Sequence, residues 1–542
     1  MTSGHGLLHP RRSLTDQTDM TLLDQPPLLF PDIIAHHARS FGAKTAVICG
    51  ENRLTWEQFH RRTNQVANAL LGLGLRKGDK VCLFMLNSLP MFELLWGTVK
   101  AGGVIAPLNV MMAKESLPTM INNSEARFLF ADAATHKQVE AIRADLPGVR
   151  ADGFYCVGHS SPDCLSYAEL VEAQSDADPE VDIALSDSMS IIYSSGTTGV
   201  PKGIEHSHLA RHMYSLGAGP AFGVNRCSTV ICSTPLYTNG TWITMEPAIY
   251  FGGTVVLMSK FSGRDFLDTV DREGCTHAFL VPTQIIVILS EKAAEGSLKS
   301  MRGILSGGAP LTSTTFEELR TRYPQIGIYE IYGITEGFIT VAEPRDWDHG
   351  KRGSVGKPLF GADVQIINSK GEVLARGETG EIVGWSAGLM KGYYRDPKRT
   401  EEMIWRGPRG RTYLKSGDIG RLDAEGFVYV SGRVKDMIIS GGINIFASDI
   451  EEVFMQHPEV KEVTAIGVPH DKWGETPLLL AIMHPGAKIG EDELAEWGNA
   501  RLGRYQRVSR CEFRSEFPRA THDKVLKRAL RDPYWEGREK KI

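Results

Sequence analysis

The sequence predicts an α/β fold: a large N-terminal domain of layered α/β subdomains joined to a β-rich subdomain, followed by a small α+β C-terminal domain. Three observations carry this. Short apolar runs alternate with amphipathic helical stretches through the first part of the chain. After Gly361 the text changes to short alternating runs with frequent turns. Residues 435–542 then show helix and strand signals of their own, in a length sufficient for a small separate domain.

Residues 1–27 are polar and punctuated by Gly and Pro, and read as a disordered leader without the order of a secretory signal. The domain that follows, 28–434, begins with the bounded apolar runs "KTAVICG" and "DKVCLFML", as buried strands do. Between them, Phe59, Thr63, Val66, Ala67 and Leu70 recur at helical spacing. "ARFLFAD" continues the pattern, and the polar, turn-rich text from Val157 reads as a surface excursion. "IIVIL" at 285–289 suits a buried strand or helix segment. Val364/Ile366 and Val428/Val430 alternate as in half-buried strands, with turns at "SKG" and "AEG". In the last domain Ser448 and Glu451 have capping-box spacing ahead of a helix carrying Ile450, Val453 and Phe454, and "VKEVTAIGVP" and "PLLLAIM" read as strands.

Composition narrows the function classes. The formal net charge of -5 gives no global reason to expect a nucleic-acid partner. No apolar run approaches the ~18 residues that cross a bilayer. The eight cysteines include no CxxC pair, which predicts reduced, mostly buried thiols, a cytoplasmic address and no zinc-ligand spacing. A homodimer is left open.

The densest chemistry lies at 193–203, "YSSGTTGVPKG". Met189, Ile191 and Ile192 precede it as a strand, and Ser207 caps a helix after it that carries Leu209, Met213 and Leu216. The stretch is thus expected to be a strand-to-helix loop. Gly196, Gly199 and Gly203 allow backbone N–H groups to approach a ligand; Ser194, Ser195, Thr197 and Thr198 add hydroxyls; Lys202 adds a point charge that suits phosphate. A Walker A loop is excluded, because Pro201 stands where its glycine would be.

This stretch resembles the phosphate loop of the adenylate-forming (AMP-binding) superfamily, of the acyl-CoA synthetase or acid–CoA ligase type. Five further motifs resemble that family in order: "LSGGAPL" at 305–311, "YGITE" at 332–336, "YLKSGDIG" at 413–420, "GRVKDMIISGGINI" at 432–445 and "PRATHDKVLKRALR" at 518–531. The resemblance implies ATP, Mg²⁺ and coenzyme A as cofactors or co-substrates, and a C-terminal domain that moves between two half-reactions. It implies Lys524, Glu336 and Thr197 as catalytic residues, with Thr197 and Glu336 on the metal. Nucleotide contacts would come from 194–199 and Lys202, from Gly307, Gly308 and Ala309, from Tyr332, Gly333 and Thr335, and from Asp418 and Arg433. Tyr332 would stack on adenine and Asp418 would take the ribose hydroxyls. Lys435 would be the hinge; Ser440, Gly441, Gly442 and Trp473 would meet CoA. The logic is electrostatic: attack of a carboxylate on the α-phosphorus of ATP gathers negative charge, so cations and N–H donors are needed rather than a strong base.

The implied product is an acyl-CoA thioester formed through acyl-AMP, with transfer to a carrier-protein thiol, or a catalytically weak nucleotide-binding protein, as the alternatives. Where many relatives read "PLFHxxG" this chain reads "PLYTNG", so Thr238 replaces a histidine. Near Lys524 the usual Thr-Gly-Lys is His522-Asp523-Lys524. No acid lies in "PLYTNGTW" to pair an α-ammonium, which disfavours amino acids. The acyl pocket is expected from Tyr237, Thr238, Trp242, Thr283, Gly307, Gly333, Ile334 and Phe338, an apolar and aromatic set with no Arg or Lys for a second carboxylate. That set does not separate aryl from fatty acids.

Overall fold

The computed structural model describes residues 28–112, 114–194, 202–292, 296–441, 443–519 and 525–536. Four sheets organise them. In the nine-stranded sheet, Gly327–Gly333, Gly303–Gly307, His277–Leu280, Thr229–Cys232, Thr254–Leu257 and Thr45–Cys49 lie side by side and parallel. The eight-stranded sheet is also parallel through its middle, from Val104–Pro107 across Lys80–Phe84 to Ala126–Asp132 and Phe154–Val157. Helices cover these sheets, so their strands read as continuous apolar runs. Helix Trp56–Gly72 illustrates this: Phe59, Thr63, Val66, Ala67 and Leu70 are all buried, and Thr55 caps its start by accepting from Gln58 N.

The β-rich part is an antiparallel five-stranded sheet in which Thr412–Leu422 pairs with Gly380–Ser386, Ile404–Arg406 and Val428–Arg433. Its core joins Phe338, Val364, Ile366, Ile382 and Val428. The last sheet contains only strands after residue 437, with Val460–His470 and Gly474–Met483 as its long pair. No described helix is long and apolar enough to cross a membrane.

Several expectations need correction. Strand Ser188–Ser194 is followed by an antiparallel strand, Lys202–Ser207, before helix His208–Phe222 begins. The expected strand-to-helix loop falls on residues outside the described ones, and a strand rather than the helix follows it, although Ser207 does cap the helix by accepting from Ala210 N. Alternation in "KGIEHS" is the signal for that extra strand. Leu209 on that helix is largely exposed rather than packed. "IIVIL" lies in helix Pro282–Ser290, with Ile286 and Val287 outward. Ser448 and Glu451 form no capping box: the helix starts at Ala447 with Phe446 at its N-cap. Ser448 bonds instead to the Ser431 carbonyl, and Glu451 accepts from Ala465 N and Lys527 Nζ, so tertiary partners outcompete the local cap. The excursion after Val157 is partly built in, since Tyr167 and Val171 are buried and Tyr167 Oη donates to Glu93. Finally, not all cysteines are separate thiols: Cys156 and Cys164 sit in bonding contact, while Cys82, Cys232, Cys275 and Cys511 are buried and free.

Candidate active site

Four adjacent parallel strands of the nine-stranded sheet end side by side, and the expected site residues leave from their carboxyl ends. Thr229–Cys232 leads to Tyr237 and Thr238, His277–Leu280 to Thr283, Gly303–Gly307 to Gly308 and Ala309, and Gly327–Gly333 to Ile334, Thr335 and Glu336. This is the edge at which open α/β sheets bind ligands. Sequence spacing does not reveal that these loops are neighbours; strand order does.

The acyl segment is held from behind. Thr238 Oγ1 donates to the Pro235 carbonyl and contacts Thr241 Oγ1, and Trp242 Nε1 donates to the Leu236 carbonyl at 2.7 Å. Tyr237, Thr238 and Trp242 are buried. A residue outside the expected set links this segment to the nucleotide loops: the Phe279 ring fills the space a Cβ on Gly240 would need and lies 3.2 Å from where a Cβ on Gly307 would stand. A side chain at Gly240 would collide with that ring. Phe338 is taken into the core of the β-rich sheet, where Ile334 packs against the same cluster and Ile334 N donates to the Phe338 carbonyl at 3.3 Å.

The expectation of a set without arginine also changes. Arg211, fully buried, stacks over Trp242 at 4.6 Å and donates to Asn239 Oδ1 at 2.8 Å. Glu246 lies 3.7 Å from it, and burial pushes that carboxyl up to about 7 against the pull of Arg211. Arg211 Nη2 also meets His206 Nδ1 at 3.2 Å, while His206 Nε2 lies 2.8 Å from the Thr335 carbonyl. Burial and Arg211 keep that imidazole neutral, so it donates to Thr335 and accepts from Arg211. "EHSHLARH" holds both residues, but only the packing connects them to "PLYTNG" and "YGITE".

The residues expected at the nucleotide gather around two carboxylates. Asp418 is 5% exposed and faces Arg433 in register across the sheet. Its Oδ2 accepts from Tyr332 Oη at 2.8 Å and its Oδ1 lies 3.2 Å from Arg433 Nε. Burial and Asp418 hold the Tyr332 phenol well above its ordinary value, so it remains a donor. Glu336 accepts from Tyr393 Oη at 2.5 Å, and its backbone carbonyl accepts from Met390 N at 2.8 Å. The intervening Gly337, at φ 135°, lies so close to Gly388 and Leu389 that a Cβ would sit 2.6 Å from Leu389 Cα. Lys202 Nζ stands 5.1 Å over the Tyr393 ring. Burial lowers the Lys202 ammonium, Glu336 opposes that, and Arg399, Lys435 and Arg433 add to it. Lys202 therefore feels one carboxylate and three further cations, a charge balance that suits polyphosphate. Tyr393 and Arg399 were not among the expected residues; they come from a segment with no glycine-rich signature.

Ser194 pairs with Lys202 across the hairpin. Ser195, Gly196, Thr197, Thr198 and Gly199, with Gly442 and Lys524, lie outside the described residues. Lys435 sits in the turn Val434–Asp436, and its carbonyl accepts from Arg531. Ser440 ends strand Ile438–Ser440 and pairs with Gly474. Gly441 N donates to the Trp473 carbonyl at 2.8 Å, and a Cβ on Gly441 would meet the Trp473 ring at 2.8 Å. Three of the four residues expected at CoA are thus together, with Trp473 45% exposed. For Mg²⁺, the donor chemistry fits: Glu336 gives one oxygen to Tyr393, and its other oxygen takes no hydrogen bond among the described residues.

Residues 34–394 match the AMP-binding enzyme family, and 449–524 match the C-terminal domain of AMP-binding enzymes. The chain belongs to the AMP-binding enzyme family. This AMP-binding enzyme is 29% identical over 490 residues to the long-chain-fatty-acid–CoA ligase FadD13 of Mycobacterium tuberculosis, covering 89% of this chain and 93% of the relative. It is 32% identical over 502 residues to a feruloyl-CoA synthase of an Amycolatopsis species, covering 91% and 96%. It is 28% identical over 519 residues to the fatty acid–[acyl-carrier-protein] ligase ScoC of Streptomyces coeruleorubidus, covering 93% and 96%. Among solved structures, ATP-bound MatB from Rhodopseudomonas palustris superposes with a TM-score of 0.84 at 28% identity, covering 93% of this AMP-binding enzyme and 99% of MatB.

Proposed function

We propose that this AMP-binding enzyme is an acid–thiol ligase that activates an apolar carboxylic acid, aryl or fatty, as its acyl-adenylate with release of pyrophosphate, and then forms the CoA thioester. The observation that carries the reading is the paired arrangement of Asp418 between Tyr332 and Arg433, and of Glu336 against Tyr393 beside Lys202. Asp418 offers a preset acceptor for ribose hydroxyls. Lys202 and the surrounding Arg399, Arg433 and Lys435 neutralise phosphate charge, and Mg²⁺ held by Glu336 and Thr197 would supply further charge neutralisation there. Lys524 is assigned the developing charge between carboxylate and α-phosphate.

The acid is placed by the segment around Tyr237 and Thr238, walled by Trp242 and Phe279. Arg211 is fully buried and engaged by Asn239, Trp242 and Glu246, so it offers no free cation to a second carboxylate, which supports a monocarboxylic acid. Ser440, Gly441 and Trp473 support a CoA-facing loop, with Gly442 leaving room for the thiol.

Similarity to ScoC favours one second reading, transfer to a carrier-protein thiol. Pyrophosphate release across aryl and fatty acids, with and without CoA, tests both. AMP and acyl-CoA formation is expected; acyl-adenylate that CoA does not discharge selects the carrier reading, and no pyrophosphate with any acid overturns both.

A further inference from the structure

We propose that His136, Cys156, His159 and Cys164 form a structural zinc site at the edge of the eight-stranded sheet, apart from the nucleotide residues. One ligand atom from each of the four lies within 4.8 Å of the others. His136 Nδ1 is 3.6 Å from Cys156 Sγ and 3.8 Å from Cys164 Sγ. Zinc bonded to sulfur and imidazole nitrogen at its usual distances gives tetrahedral N···S edges of about 3.5 Å. The two imidazoles meet edge to face with centroids 4.9 Å apart.

A Cys156–Cys164 disulfide, the pairing in which the structure holds the two sulfurs, is the competing occupant; the ion would need them to part to about 3.8 Å. The disulfide would account for the two sulfurs and leave the histidines without a role. His159 Nε2 is buried with no hydrogen-bond partner among the described residues, an arrangement that costs free energy. His159 Nδ1 lies 3.2 Å from the Val157 carbonyl. Donation there leaves Nε2 as a bare lone pair, the tautomer that metal-ligating histidines are held in by an outer partner. Zinc uses all four side chains, and two thiolates with Zn²⁺ sum to zero charge, which suits a half-buried place. Four protein ligands leave no open position, so the role is structural.

The location gives the metal a task. Strands Phe154–Val157 and Leu165–Ser166 have four and two residues and end the sheet. His136 begins the helix His136–Ile142, Cys156 lies in the penultimate strand, His159 follows it, and Cys164 precedes the last strand. One ion would tie helix, strand and edge turn together where pairing alone is weak. The spacing Cys-x2-His-x4-Cys is visible in the sequence, and a search confined to CxxC pairs passes over it.

Metal analysis of the whole purified protein, with thiol counting in denaturant without reductant, tests this. One zinc per chain is expected, with all eight cysteines reactive once the metal is chelated. Cobalt(II) in its place should give the intense visible bands of a tetrahedral thiolate site. Cys164→Ser and His159→Gln should lose the metal, while Cys82→Ser, at a buried cysteine outside the cluster, should keep it. Metal-free protein with six reactive thiols, or with all eight, overturns the proposal, and both outcomes are read on the unmutated chain.

Discussion

Tyr332 donates its hydroxyl to Asp418 at 2.8 Å although 86 residues separate them. The bond joins the parallel nine-stranded sheet to the β-rich sheet at the point where a ribose is expected, so its loss acts on nucleotide binding rather than on the acid. Asp418→Asn should raise the KM for ATP by about 10- to 100-fold, the range for hydrogen bonds to a charged group. Tyr332→Phe removes one neutral donor and should cost about 3- to 10-fold. ATP–pyrophosphate exchange at saturating acid measures both, and the KM for the acid should move little.

Glu336→Gln keeps the acceptor for Tyr393 and removes the charge. Adenylation should fall by about 100-fold or more, with the Mg²⁺ dependence shifted to higher concentration. Tyr393→Phe should cost about 10-fold or less, since one hydrogen bond is lost and the carboxylate stays. Magnesium titrations of pyrophosphate release separate the two.

Lys524→Ala should impair adenylation by at least about 100-fold and leave thioester formation from preformed acyl-adenylate within a few-fold. Gly442→Leu should do the reverse by obstructing the thiol. Single-turnover assays of each half-reaction read the split; equal losses in both would remove these assignments.

Phe279 lies between Gly240 and Gly307, so its size sets the separation of the acyl segment from the nucleotide turn. Phe279→Ala should broaden acceptance toward bulkier acids while costing about 3 kcal/mol of stability. Gly240→Val should raise the KM for the acid more than that for ATP. An acid panel with denaturant melts checks both.

Lys100 is buried, and its ammonium donates to Asn64 Oδ1 at 2.6 Å and contacts His60 Nδ1 at 2.9 Å. Burial lowers its pKa from 10.5 to about 7. Between those values the unfolded chain holds the extra proton, so stability should rise with pH from about 7 toward 10.5 and level off at its lowest below about 7. Lys100→Met should flatten that slope in urea titrations at pH 7 to 9.5; an unchanged slope would assign it to other groups.

Much of this was legible in one dimension because it is periodic or local. The helix carrying Phe59, Val66 and Leu70 follows from its 3.6-residue repeat, and the helix cap at Ser207 from its neighbours. The order of "YSSGTTGVPKG", "YGITE" and "SGDIG" pointed to the AMP-binding enzyme family to which the chain belongs. The Ser448–Glu451 pair failed because a favourable local pattern met stronger partners at Ser431, Ala465 and Lys527.

The sequence by itself determined the α/β class, the order of the motifs and the identity of Asp418, Glu336 and Lys202 as the groups to watch. Tertiary structure alone decided their company. Strand order set Tyr237, Thr283, Gly307 and Gly333 along one carboxyl edge; packing placed Phe279 between two glycines, Arg211 behind Trp242, and Tyr393 on Glu336. The physical reason is that hydrogen bonds, ion pairs and ring contacts act over a few ångströms of space, whereas a motif records only neighbours along the chain. His136 and Cys164 meet for the same reason, at the edge of a sheet that ends in a strand of two residues.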